Sequence, residues 1–413
     1  MTKKIAVIGG GAAGMMAACQ AARNGAVVTL FERNEKLGKK LFITGKGRCN
    51  VCSATPLPEW FDKVPRNPKF LYSAVYSFDS AALMAFLEKE GVSLKVERGE
   101  RVFPVSDKSS DILRAFSSAL KKVGVTICLN TKVDGLWTEK EKDDLVLRGV
   151  QIKGERLPFD AVIIATGGVS YPKTGSTGDG YRLAESCGHS VVGVQASLIP
   201  MNVDEAWAVA CTGLSLRNVT LRVYQRNKLR FEELGEMLFS HFGVTGPLVL
   251  SGSAYCVGDC DVRLEIDLKP GLDIKQLEQR LQRDFDQNAR RAFKNSLDGL
   301  LPQKLISVIV EKSGIDPQRQ ACEIRKNERQ ELARLLKALP LTVTGFRPIE
   351  EAIVTRGGIP TKQVDPSTMQ SRLLPGLYFA GEMLDVDAQT GGYNLQIAFS
   401  TGHLAGQAAA ESQ

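Results

Sequence analysis

The chain has 413 residues, of which 43% are hydrophobic and 24% are charged, and its formal net charge is +7. This length predicts two or three domains, and the hydrophobic fraction excludes wholesale disorder. The modest positive charge favours anionic partners such as nucleotides or RNA, but it fits an ordinary basic cytosolic protein equally well.

The chain begins with a basic pair, Lys3 and Lys4, followed by an uncharged run over 5–22. This run imitates a signal peptide, but it holds glycines where a signal or membrane helix would hold leucines. We therefore interpret it as a strand, a turn and a helix. No other apolar stretch has the length to cross a bilayer, so we expect no contact with a membrane.

Three glycines in this run, Gly9, Gly11 and Gly14, have the spacing of a dinucleotide-binding turn. They lie between a strand predicted over 5–8 and a helix predicted over 12–24. The first glycine permits the sharp turn, the second lets a pyrophosphate approach the backbone, and the third lets the helix pack closely on the sheet. The helix N-terminus presents N–H groups and a positive dipole to the phosphates.

A second strand is predicted over 27–31 and ends at Glu32, at the distance where an acid accepts from the ribose hydroxyls of the adenosine. A glycine spacing alone is weak evidence, but with flanking strands, a helix and this acid it indicates a nucleotide site.

Two later segments distinguish FAD from NAD. A strand over 161–165 runs into the glycine-rich residues 166–168, and a strand over 377–380 runs into 381–382, with 391–394 opening the last helix. An NAD-only fold needs no such return near the C-terminus. In a flavoprotein, the end of such a strand can bind the ribityl–phosphate region of the flavin, and the N-terminus of the following helix faces the N1–O2 edge of its ring.

The flavin domain is predicted to be discontinuous, over 1–192 and 345–413, with an insertion between its halves. Residues 193–270 alternate short β-rich runs with turns, which predicts a small sheet or barrel. Residues 271–344 have a helical pattern and hold 14 Lys or Arg against 10 Asp or Glu. No second glycine fingerprint marks a domain for NAD(P)H, so NAD(P)H would have to reach the flavin by transient docking.

Five cations of the helical part fall within one predicted helical segment. Two interpretations stay open at this point: a solvated helix face and a contact with nucleic acid. The five residues are Arg280, Arg283, Arg290, Arg291 and Lys294.

The chain holds nine widely scattered cysteines, a pattern that favours free thiols in a reducing, cytoplasmic compartment over a disulfide scaffold. Cys49 and Cys52 could join Cys256 and Cys260 as zinc ligands, but the flanks of the second pair read as a turn, and we expect no metal. A redox dithiol would place Cys49 at a helix N-terminus after a strand, whereas it lies in a glycine-rich loop.

A third interpretation of the stretch "GKGRCNVC" (45–52) follows from its position after the acid of the second strand. Gly45 and Gly47 would let the backbone lie near the flavin ring, and the local cations would lower the pKa of Cys49 and favour its thiolate. A packed cysteine without chemistry is the alternative. The cations are Lys39, Lys40, Lys46 and Arg48.

The chain resembles the glutathione-reductase-like flavoproteins and, more narrowly, the BaiN/YhiN-like (aminoacetone oxidase-like) family of FAD-dependent oxidoreductases. The matching segments span nearly the whole chain; Ala388 departs from an expected glycine. They are 32–50, 97–113, 165–181, 241–253 and 380–402.

The resemblance implies an α/β fold with a discontinuous FAD-binding Rossmann domain, and it implies Cys49 and His241 as catalytic residues, His241 near the open face of the flavin. Tyr393 and Asn394 are expected to act through their backbone. The predicted FAD-binding residues are Gly9, Gly11, Ala12, Ala13, Gly14, Glu32, Arg33, Lys40, Thr44, Gly45, Gly47, Arg48, Val133, Thr166, Gly167, Gly168, Gly381, Glu382, Asp385, Gly391, Gly392, Tyr393 and Asn394.

The activities that the resemblance implies are reduction of an activated C=C bond, in uridine of ribosomal RNA or in a bile-acid-like enone, and oxidation of a small amine such as aminoacetone. We rank reduction of ribosomal RNA uridine first, because a basic helical insertion gives RNA a binding surface. A non-catalytic, FAD-binding RNA-associated protein is the alternative of another class. The sequence does not indicate an oligomeric state.

Overall fold

The structure is a computed structural model that describes residues 2–142, 144–256, 258 and 261–412. It divides into two compact units, Met1–Ser197 with Pro348–Gln413, and Leu198–Arg347. The sequence-based boundaries, at 192/193 and 344/345, lie close to these divisions. The further division of the insertion at 270/271 stays a prediction.

The elements are numbered in chain order. The strands are β1 (Lys4–Ile8), β2 (Val27–Phe31), β3 (Cys52–Ser53), β4 (Leu94–Glu97), β5 (Arg101–Pro104), β6 (Thr126–Cys128), β7 (Gly135–Glu141), β8 (Asp144–Ile152), β9 (Glu155–Pro158), β10 (Ala161–Ile164), β11 (Val192–Ser197), β12 (Met201–Val203), β13 (Ser215–Gln225), β14 (Lys228–Ser240), β15 (Gly243–Thr245), β16 (Val262–Asp267), β17 (Leu339–Phe346), β18 (Val354–Gly358) and β19 (Leu377–Phe379). The α-helices are α1 (Ala12–Arg23), α2 (Lys39–Ile43), α3 (Leu57–Phe61), α4 (Tyr72–Ser77), α5 (Ser80–Lys89), α6 (Ser109–Lys122), α7 (Asp179–Glu185), α8 (Ala206–Ala210), α9 (Pro247–Ser253), α10 (Ile274–Gln287), α11 (Gln303–Ser313), α12 (Lys326–Lys337) and α13 (Tyr393–Glu411).

The first unit is built on a five-stranded parallel sheet with the strand order β19-β10-β1-β2-β6. Its central strands are apolar because both faces are covered: Ile5, Ala6 and Val7 have no exposed surface. Since all five strands run in the same direction, their carboxyl ends lie at one edge. The predicted α/β class and Rossmann-type domain are confirmed.

Helices α1 and α13 pack against each other at very short range because α13 carries glycines one turn apart. A Cβ on Gly402 would lie 2.3 Å from the carbonyl oxygen of Ala13, and one on Gly406 would lie 2.3 Å from that of Ala17. No side chain fits between the two helices at these points. This contact determines where the N-terminus of α13 lies relative to that of α1.

The second unit contains a closed barrel with the strand order β12-β15-β14-β13-β16-β17. Helix α10 begins with a capping box formed by Asp273 and Gln276. Its buried residues, Leu277, Leu281 and Phe285, are spaced four residues apart and therefore lie on one face of the helix.

The prediction that one helical segment carries all five cations is wrong, because α10 ends at Gln287. Asn288 terminates the helix with a side chain that donates to the carbonyl oxygen of Asp284 at 2.8 Å. Arg290 and Arg291 therefore lie in the loop that follows, and Lys294 lies in a short 3-10 turn, Phe293–Asn295.

One segment, Pro68–Lys89, has the length and apolar composition of a membrane span. The expectation that no stretch beyond the N-terminal run is long and apolar enough to cross a bilayer is therefore wrong. The segment is divided between two helices, α4 and α5. Asp79 caps the second helix by accepting from the N–H of Ala82 at 2.8 Å. Half of the segment is buried inside the unit, as is typical of a core helix.

The contact between α1 and α13 is tested by Gly402→Ala. Forcing a methyl group against a backbone carbonyl should lower the free energy of unfolding by about 1–3 kcal/mol, as measured by urea denaturation of the FAD-loaded protein. Gly193→Ala is the control, because a Cβ there meets nothing within 4 Å. Equal stability of the two variants would contradict the close contact.

Candidate active site

The turns after the parallel strands lie together at the carboxyl edge of the sheet. The N–H of Gly9 donates to the carbonyl oxygen of Phe31 at 2.8 Å. In the same way, the N–H of Ala165 donates to the carbonyl oxygen of Ile8 at 2.8 Å, and the N–H of Ala380 donates to the carbonyl oxygen of Ile164 at 3.1 Å. Each turn is thus held by the last carbonyl group of a neighbouring strand. The glycine-rich turns predicted from distant parts of the sequence meet at one place.

The first turn has the geometry that the glycine spacing predicts. Gly9 has φ +103°, and a Cβ there would lie 2.6 Å from the carbonyl oxygen of Ala165. A Cβ on Gly14 would lie 1.8 Å from the carbonyl oxygen of Gly9, so α1 touches the turn directly. Beside Gly11, in contrast, nothing lies within 4 Å, which leaves the space that a pyrophosphate needs. Contact of Gly11 with phosphate stays a prediction.

Glu32 is buried and holds two turns together. One carboxylate oxygen accepts from the N–H of Gly10 at 2.8 Å, and the other accepts from the N–H and side-chain amide of Asn34 at 2.8 and 2.7 Å. The oxygen that accepts from Gly10 has a second lone pair available. The predicted bond to a ribose hydroxyl is therefore compatible with these contacts, and the carboxylate orients the nucleotide turn even without it.

Lys40 and Glu382 form an ion pair that joins segments far apart in the chain. The ammonium group of Lys40 lies 2.6 Å from one Glu382 oxygen and donates to the Ser170 hydroxyl at 2.6 Å. The other Glu382 oxygen accepts from the N–H of Thr355 at 2.9 Å. Gly168 lies against this cluster, since a Cβ there would come within 1.9 Å of the Thr355 hydroxyl. Ser170 and Thr355 were not predicted from the sequence.

The start of α13 lies against the turn that holds the two cysteines. A Cβ on Gly392 would lie 2.3 Å from the carbonyl oxygen of Cys52, and the Tyr393 hydroxyl lies 2.9 Å from that of Thr55. The Asn394 side chain accepts from the N–H of Ala388 at 2.9 Å and donates to its carbonyl oxygen at 2.8 Å. Both side chains also hold the site together, and the expectation that Tyr393 and Asn394 act through their backbone stays a prediction.

The "GKGRCNVC" turn is tightly wound. Gly45, Lys46, Gly47 and Cys49 all have left-handed backbone conformations. The N–H of Cys49 donates to the carbonyl oxygen of Thr44 at 3.0 Å. Neither Cys49 nor Cys52 has exposed surface, although the chain around them is polar.

The predicted thiolate of Cys49 is wrong. Burial raises the pKa of Cys49 to about 12, against a weaker opposing effect of its hydrogen bond with Thr44. Burial likewise raises the pKa of Cys52 to about 12. Desolvation penalises the charged form, and among the described residues no cation offsets it at Cys49. Both groups are thiols at neutral pH.

Arg48, the cation next to Cys49, is engaged elsewhere. Its guanidinium group pairs with Glu97 and with Asp107, at 2.6 Å for the latter, and lies 4.1 Å from the centroid of the Phe103 ring. Its hydrogen bond lowers the pKa of Glu97, and Lys95 together with Arg48 lowers that of Asp107. A contact between Arg48 and the cofactor stays a prediction.

The other predicted cofactor residues occupy several environments. Arg33 bridges Asp179 and Thr177, both at 2.7 Å. Val133 is buried. The Thr166 hydroxyl lies 3.2 Å from the Met383 sulfur, and the carbonyl oxygen of Asp385 accepts from Asn67. Ala12 and Ala13 lie in the first turn of α1, and Thr44 is the first residue of the 3-10 turn before Cys49. Gly381, next to Glu382, and Gly391, next to Gly392, both have left-handed backbone conformations.

His241 lies in the second unit, in the turn between β14 and β15, and is exposed. Its ring contacts Phe242 edge-on at a centroid distance of 5.0 Å. Its catalytic role stays a prediction. Of the cysteines weighed as zinc ligands, Cys260 lies outside the described residues. Within the described ranges no group of three or more His, Cys, Asp or Glu side chains is placed to hold a metal ion.

A buried carboxylate that the sequence did not reveal lies in the loop before α13. Asp387 has no exposed surface and accepts from Arg66 at 2.6 Å and from the Ser197 hydroxyl at 2.5 Å. A buried charge is stable only when it is paired and hydrogen-bonded. The pair therefore fastens the 60–76 segment to this loop.

The edge of the sheet suits an anionic dinucleotide. Helices α1 and α13 both begin there with a glycine, without a side-chain cap and without an acid in the first turn, so their N–H groups are available to a ligand. In the same turn as Cys49, the Asn50 side-chain oxygen is buried and has no hydrogen-bond partner within the described chain. A bound cofactor can supply that partner.

This fold and site define an FAD-dependent oxidoreductase with a glutathione-reductase-like nucleotide domain. The chain belongs to the HI0933-like family, whose description, "HI0933-like protein Rossmann domain", matches residues 3–408. The predicted family and enzyme class are thereby confirmed.

Two named relatives are similar along almost their whole length. The 3-dehydro-bile acid delta(4,6)-reductase of Clostridium scindens is 32% identical over 416 residues, which cover 99% of both chains. The ribosomal RNA dihydrouridine synthase of Haemophilus influenzae is 31% identical over 400 residues, which cover 96% of both chains. A solved 3-ketosteroid delta1-dehydrogenase from Sterolibacterium denitrificans, 14% identical and covering 100% of both chains with a TM-score of 0.51, shares the fold.

The burial of the two site cysteines can be tested by alkylation of the native protein at pH 8. Cys322 is exposed and should react with iodoacetamide quickly, whereas Cys49 and Cys52 should react slower by at least about tenfold, because they are buried and protonated. Peptide mass spectrometry gives the rate at each site, and labelling in urea provides the control. Rapid labelling of native Cys49 would contradict the buried thiol.

Proposed function

We propose that this protein reduces an activated C=C bond, and that its substrate is uridine in ribosomal RNA, which it converts to dihydrouridine. The two relatives carry names that refer to one kind of chemistry, although their substrates differ. Each name describes reduction of a carbon–carbon double bond conjugated to a carbonyl group. This shared reaction supports a reductase.

The reaction needs a hydride and a proton on neighbouring carbons. FAD, when bound and reduced, supplies the hydride. As one carbon of the uracil C5=C6 bond accepts the hydride, the electron pair moves towards the C4 carbonyl oxygen, and the other carbon then takes a proton. Cys49 holds a proton on its sulfur at neutral pH, since burial raises its pKa to about 12. We assign that proton to the substrate.

The observation that favours RNA is a cluster of exposed cations at the end of α10, namely Arg283, Arg290, Arg291 and Lys294. Of these, only Arg291 approaches a carboxylate within the described chain, Asp298 at 4.0 Å. Cations without ion pairs are available to phosphate groups, which dominate affinity for nucleic acid. A bile acid carries one carboxyl group, whereas an RNA presents a phosphate at every nucleotide and can engage several of these cations at once.

Reduction of a small enone is the second candidate. It is supported by the 32% identity with the bile-acid reductase over 99% of both chains. In either case we propose that NAD(P)H delivers electrons by transient docking. A ribosomal substrate would also place the enzyme in the cytoplasm.

The RNA assignment predicts a change in the mass of ribosomal RNA. RNA from cells with the gene should hold one uridine heavier by two hydrogen atoms, and RNA from cells without it should not, by mass spectrometry of nuclease fragments. Arg290→Ala combined with Arg291→Ala should restore the modification poorly, because the lost phosphate contacts weaken RNA binding; each lost contact should also reduce the salt slope of binding by about 0.7 for single-stranded RNA. Arg334→Ala, an exposed cation paired with Glu331, is the control. Unchanged RNA, with an active enone reductase, would favour the second candidate.

The proton assignment predicts that Cys49→Ala keeps its yellow colour but loses about 10²- to 10⁴-fold in turnover. Because Cys49 stays protonated until the pH approaches a pKa of about 12, wild-type turnover should not fall between pH 7 and pH 10 through ionisation of this group. Cys52→Ala, which removes an equally buried thiol, is the control. Equal turnover in the Cys49 variant and the wild type would remove the acid role.

A further inference from the structure

Two tyrosines on α4 are exposed to an unusual degree. Tyr76 is 62% exposed and Tyr72 is 43% exposed, whereas the other six tyrosines are buried or half-buried. They lie four residues apart, so both project from one face of the helix. Exposed aromatic rings that lie together on one surface often mark a binding site.

The two rings form one small aromatic surface. Their centroids are 6.3 Å apart with an interplanar angle of 85°, and Phe61 lies beneath both, at 4.6 Å from Tyr72 and 5.8 Å from Tyr76. Phe61 is buried and fixes the positions of the outer rings. We call Tyr72, Tyr76 and Phe61 the tyrosine platform.

The segment that carries the platform is fastened to the loop before α13, which belongs to the candidate active site. The Trp60 ring lies 5.7 Å from that of Tyr393. The N–H of Gln389 donates to the carbonyl oxygen of Lys63 at 2.9 Å, and Arg66 pairs with buried Asp387 at 2.6 Å. The segment that carries the platform is therefore held to the start of α13 and to the loop before it, in the same unit.

We infer that the tyrosine platform stacks unpaired RNA bases that flank the reacting uridine. This inference rests on the proposed function. Proteins that recognise RNA by sequence mainly bind single-stranded nucleotides, whose bases are unpaired. Every base has a π-face, so stacking on an aromatic side chain tolerates any base. A helix face this exposed cannot enclose a small enone, since small ligands bind in concave sites. Lys69, exposed on the turn before α4 and without an ion pair in the described chain, is available to a phosphate.

Binding of a fluorescein-labelled oligouridine to the FAD-loaded protein, followed by fluorescence anisotropy, tests the inference. Tyr76→Ala should raise the Kd about 5- to 150-fold, since stacking contributes about 1–3 kcal/mol per base. Tyr76→Phe, which keeps the ring, should bind like the wild type. Leu234→Ala, which removes a 60% exposed apolar side chain in the second unit, is the control. The salt dependence of binding should be the same in all these variants, because no phosphate contact is lost.

The outcomes separate this inference from the proposed function. If Tyr76→Ala and Tyr72→Ala bind the oligonucleotide like the wild type, the platform is overturned, even where cells still form dihydrouridine. If the two alanine variants bind weakly and Tyr76→Phe binds normally, base stacking on the platform is supported. If cells then form no dihydrouridine, only the proposed reaction is overturned. If the wild type does not bind RNA at all, the platform is overturned together with the RNA substrate. Turnover of a small enone, which has no flanking bases, should be the same in the wild type and in the tyrosine variants.

Discussion

The candidate site depends on the close contact between α1 and α13. Both helices begin at the carboxyl edge of the sheet, and both offer uncapped N–H groups there. They can do so together only because Gly402 and Gly406 bring α13 against the backbone of α1. Any larger residue would move the start of α13, and with it the Cys49–Cys52 turn that lies against Gly392. One steric constraint therefore positions both the nucleotide turn and the turn that holds Cys49 and Cys52.

The sequence was sufficient to predict the parts of the fold that depend on local patterns. The strand, glycine turn, helix and acid around Gly9 and Glu32 lie within a short stretch, and each residue type there has a specific conformational reason. The ion pair of Lys40 with Glu382 and that of Arg66 with Asp387 could not be predicted as pairs, because their partners are separated by 342 and 321 residues. Only folding brings them together. The end of α10 was missed because basic residues continue the helical pattern beyond Asn288.

The protonation state of Cys49 shows why residue types near a group in the sequence do not determine its electrostatics. Four cations in the preceding segment favour a thiolate if they surround the sulfur. In the structure Arg48 turns to Glu97 and Asp107, Lys40 turns to Glu382, and burial dominates. The result changes the chemistry, since a thiolate would be a nucleophile or a base, whereas a buried thiol holds a proton. Reduction of a conjugated double bond requires a proton donor.

Sequence identity does not choose between the two substrate classes, because the bile-acid reductase and the RNA enzyme are 32% and 31% identical to this chain. The groups proposed to support the reaction lie in the nucleotide unit and would serve either substrate. Selectivity must then come from residues that contact what surrounds the reacting bond: phosphates and neighbouring bases in RNA, but an apolar ring system in a steroid. The described surface presents exposed cations at the end of α10 and exposed tyrosines on α4. The cations suit the many phosphate groups of an RNA, and the tyrosines suit its unpaired bases.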